Sequence, residues 1–194
     1  MLSGFFVAFG VIFAAEMGDK SQLMALAFAT RYRPLLVLIG ITIATAITHL
    51  ISVGIGDLLA THVPTRAVTI VAGIAFLAFA AWTWRGDELS AEEEAAAARE
   101  RDRRPLAAIG AIGVTFFLAE LGDKTMLATI TLAAREGLFA TWLGSTVGMV
   151  VADGLAIVVG RQLGTRLPAH AVKIAATALF VFFGLGLIVE GIVH

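Results

Sequence analysis

Six apolar stretches, each long enough to cross a lipid bilayer, constrain this sequence more than any other feature. A transmembrane helix needs roughly 20 mostly apolar residues. Hydrophobic residues make up 59% of the 194-residue chain and charged residues only 15%, whereas soluble domains carry about 25% charged residues. The sequence therefore predicts an all-α polytopic membrane protein with six transmembrane helices. The stretches are Leu2–Thr30, Leu35–Gly56, Ala67–Trp84, Leu106–Ala134, Phe139–Gly160 and Ala171–Val189.

The first and fourth stretches are too long for straight spans. Each holds 29 residues, which as a continuous helix would measure ~43 Å at ~1.5 Å per residue. The hydrocarbon core of a bilayer is only about 30 Å thick. Each stretch also carries a charged, glycine-containing motif at its centre, Glu16–Ser21 in the first and Glu120–Thr125 in the fourth. We therefore expect each stretch to tilt or to bend in its middle.

The two motifs belong to an internal repeat. A shift of 104 residues superimposes Glu16–Ser21 on Glu120–Thr125 without a gap, and it also matches Gly40 with Gly144. Each half holds three spans, and because three is odd the halves enter the membrane in opposite orientations. We predict two inverted three-helix repeats, residues 1–84 and 106–194, joined by a charged linker at residues 85–105. In transporters of this architecture the substrate site lies at the repeat interface near the bilayer midplane.

Lysine and arginine residues predict the orientation in the membrane. The loops after the first, third and fifth spans hold ten of these residues, whereas the opposite side holds two, Arg66 and Arg135. Positively charged residues are enriched in cytoplasmic loops. The linker at residues 85–105 is therefore expected in the cytoplasm and both termini outside it.

The motifs place ionisable side chains where they are costly. A charge at the bilayer centre costs roughly 2.5–3.5 kcal/mol on insertion scales, so a functional role is favoured over Asp–Lys pairs that merely fasten two helices. The four motif acids and two motif lysines sum to −2, which one divalent cation or two protons would neutralise. Oxygen donors without thiolates suit Ca²⁺, Mn²⁺ or Mg²⁺, with Mg²⁺ the weaker candidate because it dehydrates reluctantly. The candidate metal ligands are Glu16, Asp19, Glu120 and Asp123.

Further polar residues in or near the motifs are candidates for auxiliary or proton-coupling roles. The lysines are expected to tune the charge of the site or to lock it when no cation is bound. His49 and Asp153 occupy equivalent positions under the repeat shift, and either a proton-carrying role or a packing role stays open for them. The auxiliary candidates are Lys20, Ser21, Gln22, His49, Lys124, Thr125 and Asp153.

Composition excludes several other classes of function. The net charge of −1 provides no basic field for nucleic acid. The absence of cysteine excludes a disulfide scaffold, a zinc–thiolate site and thiol catalysis. We expect no permanently bound cofactor. The lipid bilayer, a divalent cation and protons are the expected partners, and a homo-oligomer stays open.

The doubled motif resembles the signature of a known family. Glu16–Ser21 and Glu120–Thr125 are similar to the E-x-G-D-[KR]-[ST] motif that occurs twice in cation/proton antiporters related to the Golgi manganese–calcium transporter and bacterial manganese exporters. The resemblance covers essentially the whole chain. It implies export of Mn²⁺ or Ca²⁺ from the cytoplasm in exchange for protons, with the four motif acids as ligands. It also implies the compact prokaryotic form in a plasma (inner) membrane, because the long N-terminal extension of eukaryotic members is not seen in this sequence.

Two other functions stay open from the residues alone. One is export of a small organic cation, which would need no dication-selective site. The other is an intramembrane aspartyl protease, because Gly18-Asp19 and Gly122-Asp123 faintly resemble its Gly-x-Gly-Asp motif. The protease motif requires glycine where Glu16 and Glu120 occur, and the chain has no Tyr-Asp partner. We therefore expect a transporter and not an enzyme.

Overall fold

The computed structural model describes residues 2–85, 105–163 and 169–193. These residues form eight helices, numbered here in chain order. The helices are Leu2–Glu16 (α1), Lys20–Ala29 (α2), Pro34–His62 (α3), Thr65–Arg85 (α4), Pro105–Glu120 (α5), Lys124–Glu136 (α6), Leu138–Leu163 (α7) and Ala169–Val193 (α8). The predicted linker at residues 85–105 lies outside the described residues except at its two ends.

The helices confirm the prediction of an all-helical membrane protein. By length and composition, α3, α4, α7 and α8 each qualify as a membrane span. The pairs α1–α2 and α5–α6 also qualify if each bent pair counts as one span, which brings the number of spans to six. The structure extends α3 to His62, beyond the predicted end at Gly56, because the leucines that follow continue the helix and the next proline is Pro64.

The long helix α3 has an arrangement unlike that of a helix in a soluble protein, because its buried face carries polar as well as apolar side chains while most of its large exposed side chains are apolar. It places the apolar side chains in contact with lipid and leaves the interior with groups that can bind polar ligands. The buried polar residues are Thr45, Thr48, His49 and Ser52, and the exposed large apolar residues include Ile43, Ile47, Leu50 and Ile51.

Both long apolar stretches bend at their motifs, as predicted. The angle between α1 and α2 is 74°, and the angle between α5 and α6 is 73°. Gly18 and Gly122 each adopt a φ of +79° at these bends. A positive φ is readily available to glycine and costs other residues roughly 1–2 kcal/mol. The glycine of each motif therefore permits the sharp turn between the two half-helices.

Replacing Gly122 by alanine is expected to destabilise the protein by about 1–2 kcal/mol, because of the backbone strain at a positive φ. Apart from Gly122 and its two chain neighbours, no residue lies within 4 Å of the Cβ that alanine would add, so crowding by the rest of the protein does not add to the loss. The midpoint of thermal unfolding in detergent would measure it. Gly110→Ala is the matched control on α5, because its Cβ also meets open space and its backbone is helical. An equal midpoint for the two variants would contradict this account of the bend.

The helices of the two repeats are interleaved. The half-helix α1 packs along α7, and its equivalent α5 packs along α3. In the same way α2 contacts α7 and α6 contacts α3, while α4 and α8 pack against each other. Each broken pair therefore lies against the long helix of the other repeat.

Glycines on the long helices allow this close approach. A Cβ at Gly148 of α7 would lie 2.7 Å from the carbonyl oxygen of Phe9 in α1. On the other long helix, an ideal Cβ at Gly40 of α3 would lie 3.1 Å from the carbonyl oxygen of Ile109 in α5. Such distances leave no space for a side chain. The Gly144-x-x-x-Gly148 spacing therefore serves helix packing, as expected for small residues at membrane helix interfaces.

Equivalent residues of the two repeats contact each other. The rings of Phe76 and Phe180, which are 104 residues apart, have centroids separated by 5.9 Å. The hydroxyl of Thr45 donates to the sulfur of Met149, its equivalent, at 3.3 Å. If an approximate two-fold axis relates the two repeats, equivalent residues can contact each other only where they lie close to that axis. These contacts support the predicted repeat.

The directions of the broken pairs bear on the inverted orientation. Gly4 near the start of α1 lies beside Glu136 at the end of α6. The pair α1–α2 therefore runs away from this end of the molecule, while α5–α6 runs toward it. This opposition supports an inverted repeat, which stays a prediction.

The same end of the molecule carries an ion pair. One terminal nitrogen of Arg135, in the last turn of α6, lies 3.0 Å from each carboxylate oxygen of Glu190 in α8. A cavity of about 320 Å³ beside it is lined by residues including Val7, Phe76 and Leu132. Residue 86, which is equivalent to Glu190 under the repeat shift, is a glycine, so the sequence does not repeat the acidic partner at this position.

Candidate metal centre

The acids of each motif flank a bend. Glu16 is the last residue of α1 and Asp19 is the N-cap of α2. Glu120 and Asp123 occupy the same positions on α5 and α6. Neither aspartate caps its own helix with its side chain, although aspartate is a preferred capping residue. Both aspartate carboxylates are thereby available for contacts with the other repeat.

A hydroxyl group of the same motif holds each glutamate. The Ser21 hydroxyl donates to Oε2 of Glu16, and the Thr125 hydroxyl donates to Oε2 of Glu120 at 2.8 Å. Both glutamates are buried, with 0% and 1% of their surface exposed. Within the described part of the chain, Oε1 of each has no hydrogen-bond partner. Each glutamate therefore keeps one oxygen able to bind a proton or a cation.

The lysines contact the aspartates of the opposite motif. Nζ of Lys124 forms a buried ion pair with Oδ1 of Asp19. Nζ of Lys20 lies 3.8 Å from Oδ1 of Asp123. These reciprocal contacts bring the two motifs together at the repeat interface, where the sequence predicted the site.

The carboxylates of the two motifs lie close enough to influence one another. Glu16 interacts electrostatically with Glu120 and with Asp19. Glu120 interacts with Asp123 and, across the interface, with Asp19. The structure therefore brings all four candidate ligands into one region of the protein interior.

These acids do not form a closed ligand set in the structure. No three acidic or histidine side chains among the described residues lie close enough together to hold one metal ion. Two of the candidate carboxylates, Asp19 and Asp123, contact an ammonium group instead. The assignment of the four acids as ligands stays a prediction, and it requires the lysines to move.

Asp153 extends the acidic region and His49 does not. Asp153 on α7 is fully buried and interacts electrostatically with Glu16 and Asp19. Ser21 is nearby, but in the described structure neither carboxylate oxygen of Asp153 makes a hydrogen bond of ordinary geometry. His49, its equivalent on α3, is also buried, and its Nδ1 lies 3.5 Å from the Thr146 hydroxyl. The repeats therefore contribute unequally at these positions.

Gln22 stabilises the first bend. Its Oε1 accepts a hydrogen bond from the Gly18 amide at 2.8 Å, and its Nε2 donates to the Ala152 carbonyl at 2.9 Å. The amide oxygen of this auxiliary candidate is thus engaged with the backbone. In the second repeat the Gly122 amide donates to the sulfur of Met126 at 3.2 Å. This role of Met126 was not predicted from the sequence, although its equivalence to Gln22 under the repeat shift was a usable signal.

Comparison with known families gives one match that covers most of the chain. The model of the divalent cation/proton antiporter GDT1 family matches residues 4–91 and 108–194. Each matched segment contains one of the two motifs. The chain belongs to this family. The resemblance inferred from the doubled motif is therefore confirmed.

Relatives in the GDT1 family span prokaryotes and eukaryotes. The chain is 31% identical over 174 residues to a Vibrio cholerae protein named "Putative manganese exporter", covering 88% of this chain and 83% of that protein. It is 26% identical over 231 residues to the "Divalent cation/proton antiporter GDT1" of Saccharomyces cerevisiae, covering 95% and 82%. It is 32% identical over 207 residues to the rice "GDT1-like protein 2, chloroplastic", covering 93% of this chain and 59% of that longer protein. No solved structure matches the chain.

GDT1 membership decides between the classes of function that the residues left open. The family model and two of these relatives are named as cation transporters or exporters, and none of the names describes an enzyme. The expectation of a membrane transporter rather than an intramembrane protease is therefore confirmed. The transported ion and the coupling belong to the proposal that follows.

Proposed function

We propose that this protein exports a divalent cation, Mn²⁺ or Ca²⁺ or both, from the cytoplasm in exchange for protons. The names of its relatives support this substrate class, since they describe a manganese exporter and a divalent cation/proton antiporter. The cation and the protons use one site, formed by both motifs, with Glu16, Asp19, Glu120 and Asp123 as ligands. Among these the two glutamates are the groups that a proton or a cation reaches without displacing a lysine.

The observation that carries the proposal is the burial and the incomplete hydrogen bonding of the two glutamates, Glu16 and Glu120. Each is buried at the repeat interface, each is oriented by a hydroxyl of its own motif, and each retains an Oε1 without a hydrogen bond among the described residues. Burying a carboxylate oxygen without a partner is costly. A bound cation or proton removes that cost, so the same two groups serve both substrates.

Charge and donor chemistry restrict the ion. Four carboxylates and two lysines leave a charge of −2, equal and opposite to one divalent cation or two protons. The donors of the four acids are oxygens, which suit Ca²⁺ and Mn²⁺ better than Cu(I) or Zn²⁺. The neighbouring carboxyl group of Asp153 offers a further oxygen donor in the same region.

We propose a prokaryotic plasma membrane as the location, with residues 85–105 in the cytoplasm and both termini outside. The ten-to-two distribution of lysine and arginine residues supports this orientation. Export then proceeds from the side of the linker toward the end that carries the Arg135–Glu190 ion pair.

Ion flux in proteoliposomes tests the proposal directly. We expect uptake of Mn²⁺ or Ca²⁺ into vesicles that contain the purified protein, accompanied by proton movement in the opposite direction. A metal-sensitive dye and a pH dye inside the vesicles would report the two fluxes, with protein-free vesicles as the control. Adding Mn²⁺, Ca²⁺ and Mg²⁺ in turn ranks the ions. Absence of flux for every dication, from protein shown to be folded, would refute the proposal and favour an organic cation as the substrate.

A further inference from the structure

The two reciprocal ion pairs of the site are unequal. The side chains of Lys124 and Asp19 are 3% and 0% exposed, and their charged atoms are in direct contact. Those of Lys20 and Asp123 are 17% and 3% exposed, and their charged atoms are 3.8 Å apart. Coulomb attraction is stronger at short distance and in a medium of low dielectric constant. The Lys124–Asp19 pair is therefore the stronger of the two.

The ammonium group of Lys124, which contacts Oδ1 of Asp19, competes with a metal ion for the same oxygen. A cation that binds Oδ1 of Asp19 must first displace Lys124, because both positive groups need the same lone pairs at contact distance. Lysine is suited to this exchange, because its charge sits on a flexible four-carbon stem. When the cation leaves, the return of Lys124 to Asp19 restores a positive charge beside this buried carboxylate, because a buried charge that loses its counter-charge is strongly unfavourable.

We propose that Lys124 is an internal counter-ion that takes the place of the transported cation at Asp19, and that Lys20 does the same more weakly at Asp123. The proposal rests on the proposed function, because it assigns the lysines a step in the same cycle. Lys124 lowers the affinity for the cation, since binding must break an ion pair. It also allows the carrier to reorient without a cation, since Asp19 stays paired during that step.

A purely structural role for the lysines makes different predictions. If the ion pairs only fasten the two repeats, removing one weakens the fold and lowers every mode of transport together. An internal counter-ion instead affects two modes in opposite ways. Exchange of cation for cation never requires the site to reorient without a cation, whereas net uptake in exchange for protons does. The two modes therefore separate the explanations.

The test compares Lys124→Met with wild type in proteoliposomes, using whichever of Mn²⁺ or Ca²⁺ the wild type transports faster. With a radioactive tracer and the cation on both sides of the membrane, we expect the half-saturating concentration to fall about tenfold. With the cation outside only and a proton gradient, we expect net uptake to fall about tenfold or more. Lys173→Met is the matched control, because Lys173 lies over the ring of Trp84 on α4. It should leave both modes unchanged.

The outcomes are decisive in either direction. A half-saturating concentration that is unchanged or raised, with both modes reduced in parallel, would overturn the proposal in favour of a fastening role. If Lys124→Met does not fold, Lys20→Met decides with the same assays. Its half-saturating concentration should fall by about two- to threefold, in line with its more exposed ion pair, and no fall would refute the proposal. Failure of the proposed function is distinct, since the wild type itself would then show no coupled flux.

Discussion

Replacing Glu120 by glutamine is expected to abolish divalent-cation transport while leaving the fold intact. Glutamine has nearly the same shape, and its amide oxygen can still accept the hydrogen bond from Thr125, which spans 2.8 Å in the structure. The substitution removes the negative charge and the proton-binding oxygen of a fully buried carboxylate. We expect the flux to fall by about 100-fold or more, equivalent to the loss of ~3 kcal/mol of interaction with the cation.

The proteoliposome flux assay measures this loss, and gel filtration with thermal unfolding reports the fold. Asp57→Asn is the control, because it neutralises an exposed acid on α3 outside the two motifs. We expect its flux to equal that of the wild type. Wild-type flux in Glu120→Gln would remove the central claim about the site, since the substituted group could then be neither an essential ligand nor an essential proton carrier.

Replacing Gly144 by alanine is expected to prevent the normal packing of α1 on α7. The Cβ that alanine adds would overlap the carbonyl oxygen of Phe5 and lie 3.0 Å from Cβ of Ala8. Overpacking costs typically about 1–3 kcal/mol, and occasionally more. The upper part of that range is expected here, since a backbone atom cannot rotate away as a side chain can. For a chain of this size such a loss lowers the unfolding midpoint by about 10 °C.

The matched control for Gly144→Ala is Gly10→Ala on the partner helix α1. Nothing lies within 4 Å of a Cβ built at Gly10, and alanine is a better helix former than glycine. Its unfolding midpoint in detergent should therefore equal or slightly exceed that of the wild type. The equivalent substitution Gly40→Ala should cost less than Gly144→Ala, because its nearest contact, at 2.9 Å, is a methyl group of Ile112. Equal midpoints for Gly144→Ala and Gly10→Ala would show that the close approach does not limit stability.

The bends and the meeting of the two motifs were predictable from the sequence. A 29-residue apolar stretch is too long for a straight span, and the glycine beside Glu16 or Glu120 is the residue best able to bend it. The repeat shift then implies that the two bends meet. The structure bends both stretches at these glycines and joins the motifs by reciprocal ion pairs.

The partners of individual side chains were not predictable. Local spacing suggests that Asp19 and Lys20 act within one motif, but Asp19 contacts Lys124, 105 residues along the chain. Which lysine contacts which aspartate depends on how far each helix end approaches the other repeat. The unequal burial of Lys20 and Lys124 has the same origin. It follows from small departures from two-fold symmetry between the repeats, and the sequences of the motifs do not reveal these departures.

The interleaved packing of the repeats has a consequence for biosynthesis. The first three spans leave the ribosome before the helices against which they pack exist. At about 5–20 residues per second, the 105 residues between Asp19 and Lys124 take roughly 5–20 s to synthesise. Throughout that interval the first motif lies in the newly inserted half without the ammonium group that contacts it in the finished protein. Assembly is therefore completed only after the last helix, α8, has been inserted and has packed against α4.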